Sequence, residues 1–233
     1  RLLREGPFEE IWIQPAAGDS GSALGAALDA YYSYFGNSRP DLSDEQGCEQ
    51  GGSYWGPEFS AQEIESFLET HGYRYQQMDP SERASRIARY LDAGKVVGHF
   101  SGRTEFGPRS LGSRSILGDA RNEETQTTLN LRIKYRESFR PFAPTVLAER
   151  VSDYFELDRE SPYMLIVANV KKERQKPFER GTGTDLLEVV RRPRSDIPAV
   201  THVDYSARIQ TIKRSDHKQY YDVVKAFETL TGC

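Results

Sequence analysis

Residues 102–119 read Gly102-Arg103-Thr104-Glu105-Phe106-Gly107-Pro108-Arg109-Ser110-Leu111-Gly112-Ser113-Arg114-Ser115-Ile116-Leu117-Gly118-Asp119. An apolar run, Val96-Val97-Gly98-His99-Phe100, precedes them and reads as a buried strand. The glycines allow close approach of the backbone to a ligand, and Pro108 stiffens the turn. Guanidinium forks match phosphate oxygens in pairs, so Arg103, Arg109 and Arg114 in this setting have the composition of a polyanion cradle. The competing reading is a solvated basic loop tied down by Glu105 and Asp119.

A second basic run, Lys134-Tyr135-Arg136-Glu137-Ser138-Phe139-Arg140-Pro141, follows soon afterwards. Between Gly102 and Arg140 eight basic residues oppose five acids, leaving +3 in a chain whose net charge is −4. A local positive field on an acidic protein suits a small anionic ligand; a nucleic-acid backbone usually meets a basic domain. The cradle has a geometric consequence. Arg109, Arg114 and Arg140 should face one concave pocket, with Arg208 across from them. Pairing of these side chains with Glu105, Asp119 or Glu137 is what a merely basic loop would show.

Upstream, Ile11-Trp12-Ile13-Gln14 reads as a short strand, and Pro15 to Ser22 as a turn. Leu24, Leu28, Tyr31 and Phe35 then form a helical stripe. A turn containing Gly18, Ser20 and Gly21 at a helix amino terminus is a ready anion site. Asp19 within it is a hard oxygen ligand suited to a metal that bridges phosphates. Alternatively, Asp19 or Ser20 simply caps the helix. Gly36 to Pro57 is a polar, glycine-containing connector, with Tyr54 and Trp55 as docking aromatics; the domain boundary falls here. This gives a segment 1–38, a linker 39–58 and a domain 59–233.

Ser60 with Glu63, and Asp79-Pro80-Ser81-Glu82, predict capping boxes at the starts of two helices, the second stopped by Gly94. Asn122 begins another. Arg140 to Leu147 is extended, and Tyr163 to Val167 is a buried strand. Lys171 to Ser195 is charged and reads as a mobile loop and candidate lid. Val200 to Ile212 reads as strand, turn, strand, placing His202 and Asp204 on one face and aiming Arg208 back at the arginines. His202 and Asp204 could share a metal, although a histidine held by a nearby carboxylate or carbonyl is commoner. From Ser60 onward helices and strands alternate, which fits a twisted, open, mixed α/β sheet. The 37% hydrophobic content suggests solvated loops or an incomplete unit, and Cys48 and Cys233 make no disulfide framework. With no signal-peptide pattern and no membrane-length run, the expected setting is cytoplasmic.

Three stretches carry a specific likeness: Glu105 to Leu117, Ile133 to Pro144, and Thr201 to Thr211. In this order they resemble the carboxy-terminal half of the O-carbamoyltransferases of nodulation-factor and antibiotic biosynthesis, and the likeness covers nearly the whole chain. Tyr205 departs from it, because the family pattern usually has glycine there. The resemblance implies a YrdC-like domain preceded by the tail of a kinase-like (ASKHA) transferase domain, with the chain cut at both ends. It implies that carbamoyl phosphate and ATP give carbamoyladenylate, and that the carbamoyl group then passes to a hydroxyl of a sugar or antibiotic-type small molecule.

By matching positions it gives Arg109, Arg114, Lys134, Arg140 and Arg208 the catalytic charge-handling, with Arg103, Arg136 and His202 in support. Gly18, Ser20 and Gly21 match a phosphate turn. Asp19 matches a ligand for a divalent metal, iron or magnesium, whose partner histidines are not in this chain. Carbamoyl transfer to an acceptor is therefore not expected of these 233 residues alone. The partners implied are a small-molecule acceptor and, as an option, a second copy in a homodimer; neither nucleic acid nor membrane is expected. Two alternatives stay open: a threonylcarbamoyl-adenylate synthase of the same fold, and a non-catalytic nucleotide- or RNA-binding module. The Gly18-Asp19-Ser20-Gly21 turn argues against the first, and the pI near 5.7 against the second.

Overall fold

The computed structural model describes residues 2–40, 51–177 and 185–233. Part of the connector, including Cys48, and residues 178–184 of the Lys171–Ser195 segment lie outside the described residues. Among those described, no helix is long and apolar enough to cross a membrane.

Strands β1 (Val97–Phe100) and β2 (Arg114–Leu117) pair antiparallel, with Phe100 opposite Arg114. The arginine loop is thus the long tip of a hairpin, closed at its neck by Ser101 N–H donating to Ser113 O at 3.1 Å. The expected buried strand at Val96 is half right. It starts at Val97, and only His99 of β1 is buried; Val97 on the same face is half-buried, while Gly98 and Phe100 on the other face are exposed.

A separate mixed sheet carries the core. Its central strand β5 (Ser206–Ile212) is parallel to β3 (Thr145–Leu147) and antiparallel to β4 (Ile166–Asn169). The expected mixed α/β organisation is present, in two small sheets. Strand β5 divides its side chains by the two-residue alternation of a strand. Ala207 and Ile209 enter the main cluster with Val146, Phe155, Ala168 and Val170. Arg208, Gln210 and Ile212 turn to the other face. Three helices flank these sheets. They are Pro80–Asp92, Glu123–Leu129, which runs on as a π-helical turn to Lys134, and Lys218–Thr231. The first and last pack on each other.

Start signals fared unevenly. Ser60 and Glu63 form the full capping box of helix Ala61–Thr70, and Asn122 Oδ1 accepts from Glu124 N–H at 2.8 Å. Asp79 precedes its helix without a side-chain cap bond, so Pro80 alone sets that start.

The expected helix is present at Asp19–Asp29 with a π-helical extension to Tyr34, and its stripe is largely exposed at Leu28, Tyr31 and Phe35. Three further expectations are corrected. Residues 11–14 form no strand; Trp12 is 66% exposed and the segment has no strand partner among the described residues. Strand β4 begins only at Ile166, because Met164 has a left-handed backbone (φ +57°) that interrupts the extended chain. Before β5 there is a turn in place of a first strand, held by Tyr205 N–H to His202 O at 3.0 Å. Tyr205 has φ +65°, a region that favours glycine and costs a side-chain-bearing residue about 1–2 kcal/mol. That backbone requirement is the physical content of the expected glycine.

The segment from Lys171 begins and ends in a clasp. Lys176 N–H donates to Arg194 O at 2.6 Å, Gln175 bridges Ser195, and Arg174 pairs with Asp196 at 2.5 Å. Tyr205 Oη donates to Lys176 O at 3.3 Å.

Candidate functional site: a cationic cavity beneath the arginine loop

The arginine loop is folded around one buried carboxylate. Glu105 Oε1 accepts from the backbone N–H groups of Leu111 (2.7 Å), Ser113 (2.8 Å) and Arg114 (3.1 Å), and Oε2 from Arg114 Nε at 2.9 Å. Its side chain is 0% exposed. Burial alone would raise its pKa; the bonds from Arg114, Leu111 and the Arg114 backbone outweigh that and hold it below the usual carboxylate range. Gly112 has φ +120°, and a Cβ there would meet the Tyr220 ring at 2.2 Å, so only glycine fits.

Behind this loop lies a buried imidazole pair. His99 Nδ1 meets Gly112 O at 2.6 Å and His217 Nε2 meets Ser113 Oγ at 3.0 Å. Burial lowers both pKa values, and the His99 charge lowers that of His217 further.

The end of the connector is part of this assembly. Ser53 O accepts from Phe106 N–H at 2.6 Å, Gly56 N–H donates to Thr104 O, and Tyr54 Oη donates to Leu111 O at 2.9 Å. Tyr54 therefore docks on the arginine loop itself, and burial raises its pKa. Gln210 on β5 donates to the same Leu111 carbonyl at 2.7 Å, pinning the loop to the central strand.

The second basic run has its own hub. Asn130, 0% exposed, donates through Nδ2 to Ser138 O (3.0 Å) and Arg140 O (2.8 Å), and accepts from Arg136 Nε at 2.5 Å. Arg136 also lies over the Phe142 ring at 4.8 Å.

Between the two runs, β5 and the carboxy-terminal helix is a cavity of about 510 Å³. Arg109, Lys134, Arg136 and Arg208 line it together, and its remaining wall is mostly hydrocarbon, including Leu129, Phe142, Val146 and Phe227. The side chains of Arg109, Lys134 and Arg208 make no hydrogen bond or ion pair with any described residue. Burial, and then the neighbouring Arg109 charge, push the Arg208 pKa down from its ordinary value. Glu228, the carboxylate on the cavity wall, is paired with Arg150 and Lys225. Two guanidiniums close enough to repel, neither paired with a carboxylate among the described residues, describe a place for an anion.

The other expected residues lie elsewhere. Arg114 is tied to Glu105 and to the Gly107 carbonyl at 3.2 Å, and does not line the cavity. Arg140 pairs with Glu137 at 2.8 Å on the surface. For these two the geometric expectation of one shared pocket fails, because each has a local acid; it holds for Arg109 with Arg208. Arg103 binds the Gly56 carbonyl at 3.2 Å and fastens the connector. His202 is engaged with Ser206 Oγ at 3.3 Å, as is Asp204 at 2.7 Å. The His202 pKa is lowered by burial and by the Arg208 charge. Gly18, Asp19 and Ser20 stand outside the cavity at the start of their helix. Gly21 is required there, since a Cβ would meet Ala16 O at 2.6 Å.

The sequence offers Glu105 only as a counter-charge to the arginines, and it does not single out Asn130. The one advance signal for Asn130 is a polar residue set within an arginine-rich stretch. As for a metal, no group of three His, Cys, Asp or Glu able to hold one occurs among the described residues. Exposed Asp19 supplies a single ligand, so these residues do not by themselves fit a bound cation.

The family profile of the carbamoyltransferase C-terminus matches residues 88–233, and that of the carbamoyltransferase N-terminus matches residues 1–28. The uncharacterized protein sll1178 of Synechocystis sp. is 51% identical over all of this chain, which covers 38% of that protein. Nodulation protein NolNO of Sinorhizobium fredii is 38% identical over the whole chain, covering 31% of that protein. The 3'-hydroxymethylcephem-O-carbamoyltransferase of Amycolatopsis lactamdurans is 33% identical over 97% of the chain, covering 36% of that protein. The chain thus spans less than two fifths of the length of these relatives. With its loop, cavity and central strand all inside the matched region, the chain belongs to the carbamoyltransferase family.

Proposed function

We propose that the cavity binds ATP with carbamoyl phosphate and forms carbamoyladenylate, and that its domain is the YrdC-like unit of a longer O-carbamoyltransferase. The observation that carries this is the unpartnered Arg109–Arg208 pair on a cavity whose remaining wall is largely apolar. The apolar part suits a base and ribose, and the cationic part suits phosphates. ATP and carbamoyl phosphate together bring about six negative charges, which must be offset and aligned for attack on the α-phosphate. Arg109 and Arg208, held without counter-ions, do this before substrate arrives. Lys134 and Arg136 extend the same field. Arg114, fixed to Glu105, positions the loop that carries Arg109. The carbamoyl group then passes to a hydroxyl of a small-molecule acceptor elsewhere in the longer protein.

Titration calorimetry with ATP tests the assignment. Arg109→Ala and Arg208→Ala should each lose a charge-assisted contact of about 1.5–3 kcal/mol, roughly ten- to a hundred-fold in affinity. Melting temperature should hold or rise, since a like-charge repulsion is relieved. Lowered melting with unchanged ATP affinity in both variants would sink the reading. In the longer protein, pyrophosphate release should depend on carbamoyl phosphate.

A further inference from the structure

Pro108 and Arg109 also wall a second cavity, of about 30 Å³. Across from them stand Ala16 and Ala17 of the amino-terminal turn, together with Ser53 of the connector. Ser53 is 1% exposed and its Oγ has no hydrogen-bond partner among the described residues. Its carbonyl is fully employed, by Phe106 and Trp55 N–H, so the residue is held in place while its hydroxyl is idle. A buried hydroxyl without a partner is costly and calls for an explanation. No acid lines this cavity, and the only charge on its wall is the unpartnered guanidinium shared with the larger one.

The volume takes one or two waters, or the few heavy atoms of a small planar group. A phosphate is too large and too highly charged for it. A hydroxyl both donates and accepts, which suits a carboxamide offering C=O and NH₂ side by side. We propose that this small cavity is the subsite for the carbamoyl head of carbamoyl phosphate, with Ser53 Oγ hydrogen-bonded to the carboxamide and Arg109 at the junction with the phosphate. The inference rests on the reading of the larger cavity as a phosphate cradle. It adds the residue that would tell a carboxamide head from bare phosphate.

Calorimetry of the wild-type protein and Ser53→Ala, with carbamoyl phosphate and with inorganic phosphate, tests it. The wild type should prefer carbamoyl phosphate. Ser53→Ala should lose roughly ten-fold in carbamoyl phosphate affinity, keep its phosphate affinity, and melt at the same temperature or higher. Unchanged affinity for both ligands would overturn the subsite and leave a water-filled pocket. Equal losses for both, or a lowered melting temperature, would also overturn it, because Ser53 would then be supporting the loop. If the wild type binds neither ligand, the cradle itself fails and the subsite falls with it.

Discussion

The turn from Ala16 to Gly21 and the loop from Ser101 to Ser113 are made of similar ingredients: glycines, a serine or two, and a charged side chain able to meet a phosphate or its metal. They touch, since a Cβ on Gly107 would come within 2.5 Å of Ala16 Cβ. Their interiors differ. Behind the arginine loop stand a carboxylate with four bonds, an imidazole pair and a glutamine from the central strand. Asp19 has no such support, and Gly18 has open space around it. A ligand-ready composition becomes a ligand-ready geometry only where buried polar groups fix the backbone that carries it.

The sharpest way to break the comparison is to delete the two acids. Glu105→Ala leaves three N–H groups and a guanidinium without their acceptor and should cost about 3–5 kcal/mol. In a chain of this size that lowers the melting temperature by roughly 6–20 °C. Asp19→Ala should change stability by no more than about 0.5 kcal/mol. Equal melting of the two variants would erase the distinction.

Glycines give the next largest contrast. Gly112→Ala forces a Cβ into the Tyr220 ring from a left-handed backbone and should cost about 2–3 kcal/mol. Gly18→Ala, with nothing within 4 Å, should be close to neutral in the same denaturant titration.

The smallest effect is in pH. The pKa values of His99 and His217 are lowered on folding, so the unfolded chain binds more protons as pH drops below the ordinary imidazole value. Their contribution is complete above about pH 6.5 and is lost as pH falls toward their folded values. Each imidazole accounts for up to about 1.4 kcal/mol per pH unit. Stability curves at pH 7 and pH 5.5 should separate, and His217→Gln should bring them closer. A pH-independent wild type would contradict the buried, neutral pair.

Sequence alone made the arginine loop legible, because Gly, Pro and Arg have strong local meanings. The Ser60 and Asn122 helix starts were legible for the same reason. The basic field at Arg109, Lys134 and Arg208 was legible too, but not which arginines would be spoken for. Arg114 and Arg140 differ from Arg109 only in having an acid that the fold brings within reach, and composition cannot show reach. Glu105 read as a counter-charge when it is the centre of the loop. Asn130 likewise hides its role, because its partners Ser138 and Arg140 lie in irregular backbone with no period to reveal them. Ser53 depends on a pairing between connector and loop, which is tertiary from the start.

The clasp at Lys176 and Arg194 has one further consequence, for evolution. The two stems are zipped together ahead of the turn that feeds Arg208, with Tyr205 leashed to one of them. Chain added beyond the zip pays only the slowly growing entropy of a longer loop, about 0.6 kcal/mol per doubling. This is where a lineage can lengthen the protein, or an experimenter can splice in a reporter peptide, while the paired stems and the turn that feeds Arg208 stay as they are.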